Sequence, residues 1–138
     1  MKLTDEQRKP IVDLYFEKAN ETMSDALLLV NAQRWQGAVN RLYYACYNAV
    51  RALLMYNGIH ANTHAGVRSQ FGLNFVTTKK IDNQYNKFYS KLFELRQTGD
   101  YDVFSEITEK DVVPLVSLAE DFIQTIEKLI STKQTCQK

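Results

Sequence analysis

Arginine, histidine and tyrosine supply the chemistry available to this 138-residue chain. Arg41, Tyr44, Asn48 and Arg51 recur at steps of three and four, so a helix sets them along one ridge. Two guanidiniums on one face can hold a phosphate through paired hydrogen bonds. The blander reading is a solvated or inter-helix polar face from which long side chains snorkel. A second cluster is His60-Ala61-Asn62-Thr63-His64. Its i, i+4 histidines have the spacing of a zinc pair. Asn57-Gly58 and Asn62-Thr63 mark loop and cap, however, so the rings are not expected to share a helix face. Zinc also needs three or four protein ligands. No metal and no cofactor is expected. His64, at a helix start, is expected to be disfavoured as imidazolium and free to hydrogen-bond a phosphate at the same N-terminus; the plain alternative is that it only packs. The third cluster is Arg96-Gln97-Thr98-Gly99-Asp100-Tyr101-Asp102. Asp100 can hold Arg96 or Arg41, and Tyr101 can plug the mouth of a bundle. If the second and fourth long segments are neighbours, Arg41 and Arg96 converge, and two cations short of carboxylates call for an anionic ligand.

The elements that must position these groups are helical. Ala38, Leu42, Ala45, Ala49, Ala52 and Tyr56 fall on one face, and Val39, Tyr43, Cys46, Val50 and Leu53 widen it. A helix apolar around most of its circumference belongs in the middle of the protein. Before it, Thr4 with Gln7 forms a capping box for a first helix to about Gln33, with Pro10 either kinking it or marking its first turn. Trp35 is expected at the junction. The central helix runs to about Tyr56, where Gly58 suits a left-handed cap. Thr63 caps a short helix through Val67, Phe71 and Phe75. Ile81, Tyr85, Phe88, Leu92 and Leu95 carry a fourth helix to Arg96 or Thr98, with Gly99 ending it. Asp100 to Ile107 is an irregular apolar segment folded on the bundle. Asp111, in preference to Thr108, caps a last helix with Pro114 in its first turn, running to about Thr132. The expectation is an all-α, up-and-down four-helix bundle with one additional short helix: a single domain over 1–138, with 133–138 a flexible tail.

Composition narrows the class. Net charge is +1, so no global field draws the chain to nucleic acid or membrane, and any anion binding must be local. Cys46 and Cys136 form neither a disulfide framework nor a metal spacing, which suits a reducing cytoplasm. The N-terminus has no apolar run after its charges and is not expected to be a signal peptide. No stretch approaches the ~20 apolar residues of a membrane span. Phosphate loops, dinucleotide fingerprints and nucleophile triads are absent from the sequence. Aromatics on more than one side of the fourth helix (Tyr85, Phe88, Tyr89, Phe93) point to a second copy as their cover.

Four motifs occur in register: Arg41-Leu42-Tyr43-Tyr44-Ala45, Thr63-His64-Ala65-Gly66-Val67, Phe71-Gly72-Leu73-Asn74-Phe75-Val76 and Leu95-Arg96-Gln97-Thr98-Gly99-Asp100-Tyr101-Asp102. Together they resemble the short stand-alone branch of the HEPN family (higher eukaryotes and prokaryotes nucleotide-binding) over roughly residues 10 to 132. The resemblance implies a four- or five-helix bundle, as periodicity does. It also implies a homodimer whose cleft carries the functional arginines, and a minimal nucleotidyltransferase partner in a toxin–antitoxin-like module. Many members are metal-independent ribonucleases using an Arg followed four to six residues later by His. Arg96 takes the arginine position here, but Tyr101, Asp102 and Val103 stand where the histidine would be. Tyrosine, with a pKa of about 10, is a poor base. The expected function is binding of nucleotide or RNA phosphate through Arg41, Tyr44, Arg51, His64, Arg96 and Asp100. The alternatives are an endoribonuclease with a non-standard base, drawing on Arg96, His64 and Tyr101, and a purely structural interaction bundle.

Overall fold

The computed structural model describes residues 2–102 and 106–136, without the side chains of Tyr101 and residues 131–136. The expected placements of Val103, Phe104 and the Tyr101 side chain therefore lie outside the described residues. Five α-helices follow in order: α1 (Asp5–Asn31), α2 (Trp35–Tyr56), α3 (His64–Phe71), α4 (Asn83–Tyr101) and α5 (Glu109–Cys136). A wider π-helical turn, Gly72–Val76, prolongs α3. The described residues contain no strand.

The bundle is organised around α2, which packs against all four other helices. Ala38, Ala45, Ala49 and Ala52 are wholly buried, and their small side chains let neighbouring backbones approach. Val12, Ala19, Met23 and Ala26 of α1 meet this surface, as do Leu115, Ala119, Phe122 and Ile126 of α5. Trp35 opens α2 and packs half-buried against the core.

Helix ends follow local chemistry. The Thr4–Gln7 capping box is present, and α2 stops before Gly58, whose φ is +70°. Thr63 caps α3, its Oγ1 accepting from the Gly66 N–H at 2.9 Å. Several ends depart from the sequence reading. Asp82 caps α4 by accepting from Gln84 N–H, and the helix does not stop at Gly99 but continues to Tyr101. Gly99 serves close packing instead: a Cβ there would sit 2.5 Å from Ile107 Cδ1. Asp100 and Tyr101 are accordingly helical. The last helix begins at Glu109, so Asp111 is its third residue; its carboxylate turns back to accept from the Thr108 N–H at 2.9 Å. Pro114 consequently lies in the second turn and not the first, as does Pro10 in α1. The helix also runs on to Cys136, into the segment expected as a tail.

The aromatics of α4 are used within the chain. Tyr89 is wholly buried, Tyr85 and Phe88 pack on Phe122 of α5, and Phe93 packs on Tyr43. They give no reason to expect a second copy over α4. The solvent-exposed apolar side chains lie elsewhere, among them Leu14 and Leu28 of α1 and Val113 and Leu118 of α5.

Candidate functional site: a guanidinium cluster around a half-buried histidine

The centre of the site is a column of near-parallel rings crossing the bundle. His64 of α3 stacks on Tyr47 of α2, centroids 4.4 Å apart and planes 25° apart. Tyr43 lies 5.8 Å from Tyr47 and 5.9 Å from Tyr89 of α4, with interplanar angles of 19° and 11°. Phe122 of α5 continues the column 5.6 Å from Tyr89. Tyr43 and Tyr47 meet His64 because they are one turn apart on α2, while the Thr63 cap fixes where α3 begins. The Tyr43 hydroxyl is 2.8 Å from His64 Nδ1.

Three guanidiniums surround the polar end. Arg96 is buried, with 8% of its surface exposed. It lies over the Tyr43 ring at 4.8 Å, and one Nη donates to Asp100 Oδ2 at 3.2 Å, while its buried Nε has no hydrogen-bond partner among the described residues. Arg41 sits 5.2 Å above the Tyr44 ring, and Arg96 reaches the same ring at 5.6 Å. The expected convergence of Arg41 and Arg96 thus takes the form of a shared tyrosine. Arg51 lies over Tyr47 at 5.3 Å and donates to the Tyr15 hydroxyl of α1 at 2.7 Å. Arg41 donates to its neighbour Asn40 Oδ1. Among the described residues neither Arg41 nor Arg51 has a carboxylate within salt-bridge distance; Asp100 is the one acid bound to the cluster.

This environment shifts protons. His64 is held below its ordinary pKa, first by burial and then by the Arg96 and Arg51 charges. The Tyr43 hydroxyl is pushed up to about 12, chiefly by burial. Tyr47 is raised by burial too, against the opposing pull of Arg51. Rings over cations add attraction that strengthens as water is excluded.

Of the residues singled out by sequence, Arg41, Tyr44, Arg51, His64, Arg96 and Asp100 come together. Asn48 lies buried in α2 beside them. His60 is exposed in the loop before α3, so it and His64 share no helix face. No group of three metal-ligating side chains occurs among the described residues. Sequence reasoning missed Tyr43, Tyr47 and Tyr15, which it had either assigned to apolar faces or passed over. A signal was available: Tyr43, Tyr47 and Arg51 follow at steps of four, placing two rings and a cation in a single row.

Fold and site define an all-α bundle with a basic, tyrosine-lined centre built on its middle helix. Residues 12–129 match the HEPN domain, and the chain belongs to that family. A Thermotoga maritima relative named UPF0332 protein is 40% identical over 124 residues, spanning 90% of this chain and 94% of its own. Two Methanocaldococcus jannaschii proteins are also similar. The one named Putative toxin MJ0605 is 32% identical over 86% of this chain and 88% of its own. The one named Putative toxin MJ0142 is 27% identical over 96% and 90%. No described helix is long and apolar enough to cross a membrane.

Proposed function

We propose that this HEPN protein binds the phosphate of a nucleotide or RNA at the Arg41–Arg96–His64 cluster. In this reading it acts in the cytoplasm as a homodimer, paired with a nucleotidyltransferase in a toxin–antitoxin-like module. The observation that carries the proposal is the charge imbalance: among the described residues three guanidiniums gather around Tyr43, Tyr44 and Tyr47 with one carboxylate, Asp100, in salt-bridge contact, and the Arg96 Nε meets no partner there. A cation excess around a buried arginine is relieved by an anion, and arginine forks match phosphate oxygens. The toxin names of the two archaeal relatives support the module, and the exposed apolar side chains of α1 and α5 support a second copy there. Fluorescence titration with ATP and with short RNA tests the binding. Saturable binding weakened by Arg41→Ala and by Arg96→Ala is expected; micromolar ligand that does not bind, whatever the variant, removes the proposal.

A second reading has one observation in its favour. His64 is close enough to Arg96 to feel its charge, which brings an imidazole beside the arginine that a metal-independent ribonuclease would use. Incubation with RNA in EDTA distinguishes it. Cleavage abolished by His64→Gln supports the ribonuclease, and intact RNA at high protein concentration disposes of it.

A further inference from the structure

We propose that Tyr43 is a positioning residue: its hydroxyl fixes the His64 ring with the neutral-state proton on Nε2, so that the histidine meets a phosphate as a hydrogen-bond donor and not as a base. The role toward phosphate rests on the binding proposed above; the proton assignment does not.

The argument begins with a buried donor. Tyr43 has no exposed surface, and His64 Nδ1, at 2.8 Å, is its one hydrogen-bond partner among the described residues. The Tyr89 hydroxyl lies near enough to act on Tyr43 as a donor would, yet it meets no partner in hydrogen-bond geometry. With no hydrogen-bond geometry to Tyr89, His64 Nδ1 is the one acceptor the Tyr43 O–H reaches among the described residues. Were Nδ1 to carry the proton, the phenol hydrogen would be stranded in the core, with the full desolvation penalty of an unpaired polar group. Nδ1 is therefore the acceptor, and the neutral ring carries its hydrogen on Nε2.

The surroundings keep the ring neutral and in place. The titratable and charged groups that face it among the described residues are Tyr43, Tyr44, Tyr47 and Arg51 from α2 and Arg96 from α4. A second proton would turn Nδ1 into a donor facing the Tyr43 O–H and would add a cation between two guanidiniums. Stacking on Tyr47 and the edge contact with Tyr44 at 5.7 Å hold the ring plane. Nε2 has no partner among the described residues and stays available to a ligand. A histidine fixed in this way cannot take a proton at Nε2 without first changing tautomer.

Nitrogen-15 NMR of the labelled full-length protein at pH 7.5 reads the tautomer directly, with His64→Gln assigning the signals against the exposed His60. The expected result is a protonated Nε2 and a bare Nδ1. In Tyr43→Phe, which retains the ring and its stacking, the two tautomers are expected to mix, and the His64 pKa to rise toward the ordinary ~6.5. A protonated Nδ1 in the wild type overturns the proposal, as does an unchanged tautomer in a folded Tyr43→Phe. The wild-type measurement stands even if that variant does not fold. Adding ATP separates this proposal from the one it rests on. A shifted Nε2 hydrogen on saturation supports both. The assigned tautomer with no ATP binding overturns the phosphate site alone, and ATP binding to a ring protonated on Nδ1 overturns the positioning role alone.

Discussion

The two ends of the ring column are built alike and do different things. At one end Phe122 sits fully buried among Phe71, Tyr85, Phe88 and Tyr89. At the other, His64 stacks on Tyr47 beneath Arg51 and beside Arg96. Ring spacing and tilt are similar throughout, so packing alone does not separate the two. The difference is where heteroatoms and charge accumulate. The α5 end contributes buried apolar area, which stabilises without direction. The α3 end gives up part of that stability to a cation excess and, among the described residues, to an Arg96 Nε without a partner, a local inconsistency of the kind that functional sites tolerate.

Substitutions at the two ends sharpen the contrast. Phe122→Ala removes a fully buried ring at the centre of the apolar end and is expected to cost about 3–5 kcal/mol by chemical denaturation. The same variant, where folded, keeps the His64 tautomer. Arg96→Ala acts oppositely. It is expected to weaken ATP or RNA binding by about 10- to 100-fold, the worth of a hydrogen bond to a charged group, with a smaller loss of stability from the released Asp100. If Phe122→Ala weakened binding as strongly as Arg96→Ala at temperatures where both are folded, the division between the ends would fail. Thr63→Ala is smaller still: loss of the α3 cap is expected to cost about 1 kcal/mol. It is also expected to loosen His64, visible as broadened ring signals.

Most of the architecture was legible because helical periodicity is a local property. The α2 stripe, the Thr4 and Thr63 caps and the Gly58 stop are each written in a few adjacent residues. Gly99 and Asp111 were misread for a related reason. Gly99 carries the usual mark of a helix end, but Ile107, eight positions on and beyond the end of the helix, needs the space a Cβ would fill. Asp111 is a good capping residue, and the choice between capping at its own position and reaching back to Thr108 depends on where the helix starts. At the site, the arginines were legible because their competing partners are few. Tyr43 was not, since a tyrosine on an apolar face reads as core until the fold brings His64, twenty-one positions later, against its hydroxyl. Tyr15 escaped for the same reason, lying thirty-six positions from the Arg51 it accepts from.

The finest test of the comparison is the tilt of stability with pH. His64 has a folded pKa below its unfolded value of about 6.5, so the unfolded chain binds the proton more readily. Its contribution is therefore fully present above about pH 6.5 and is lost as pH falls toward the folded pKa. Between pH 7.5 and 5.5 the wild type is expected to lose more stability than His64→Gln, in denaturation midpoints measured side by side. Carboxylates titrate alike in both proteins and cancel in the difference. Tyr43→Phe is expected to fall between them, because a ring freed from its hydroxyl donor protonates with less opposition. Phe122→Leu supplies the counterpart from the far end: with no titratable group lost, it lowers the whole curve without tilting it. Parallel curves for wild type and His64→Gln would mean that His64 protonates equally well in the folded and unfolded chains, and the electrostatic distinction between the two ends would vanish with that result.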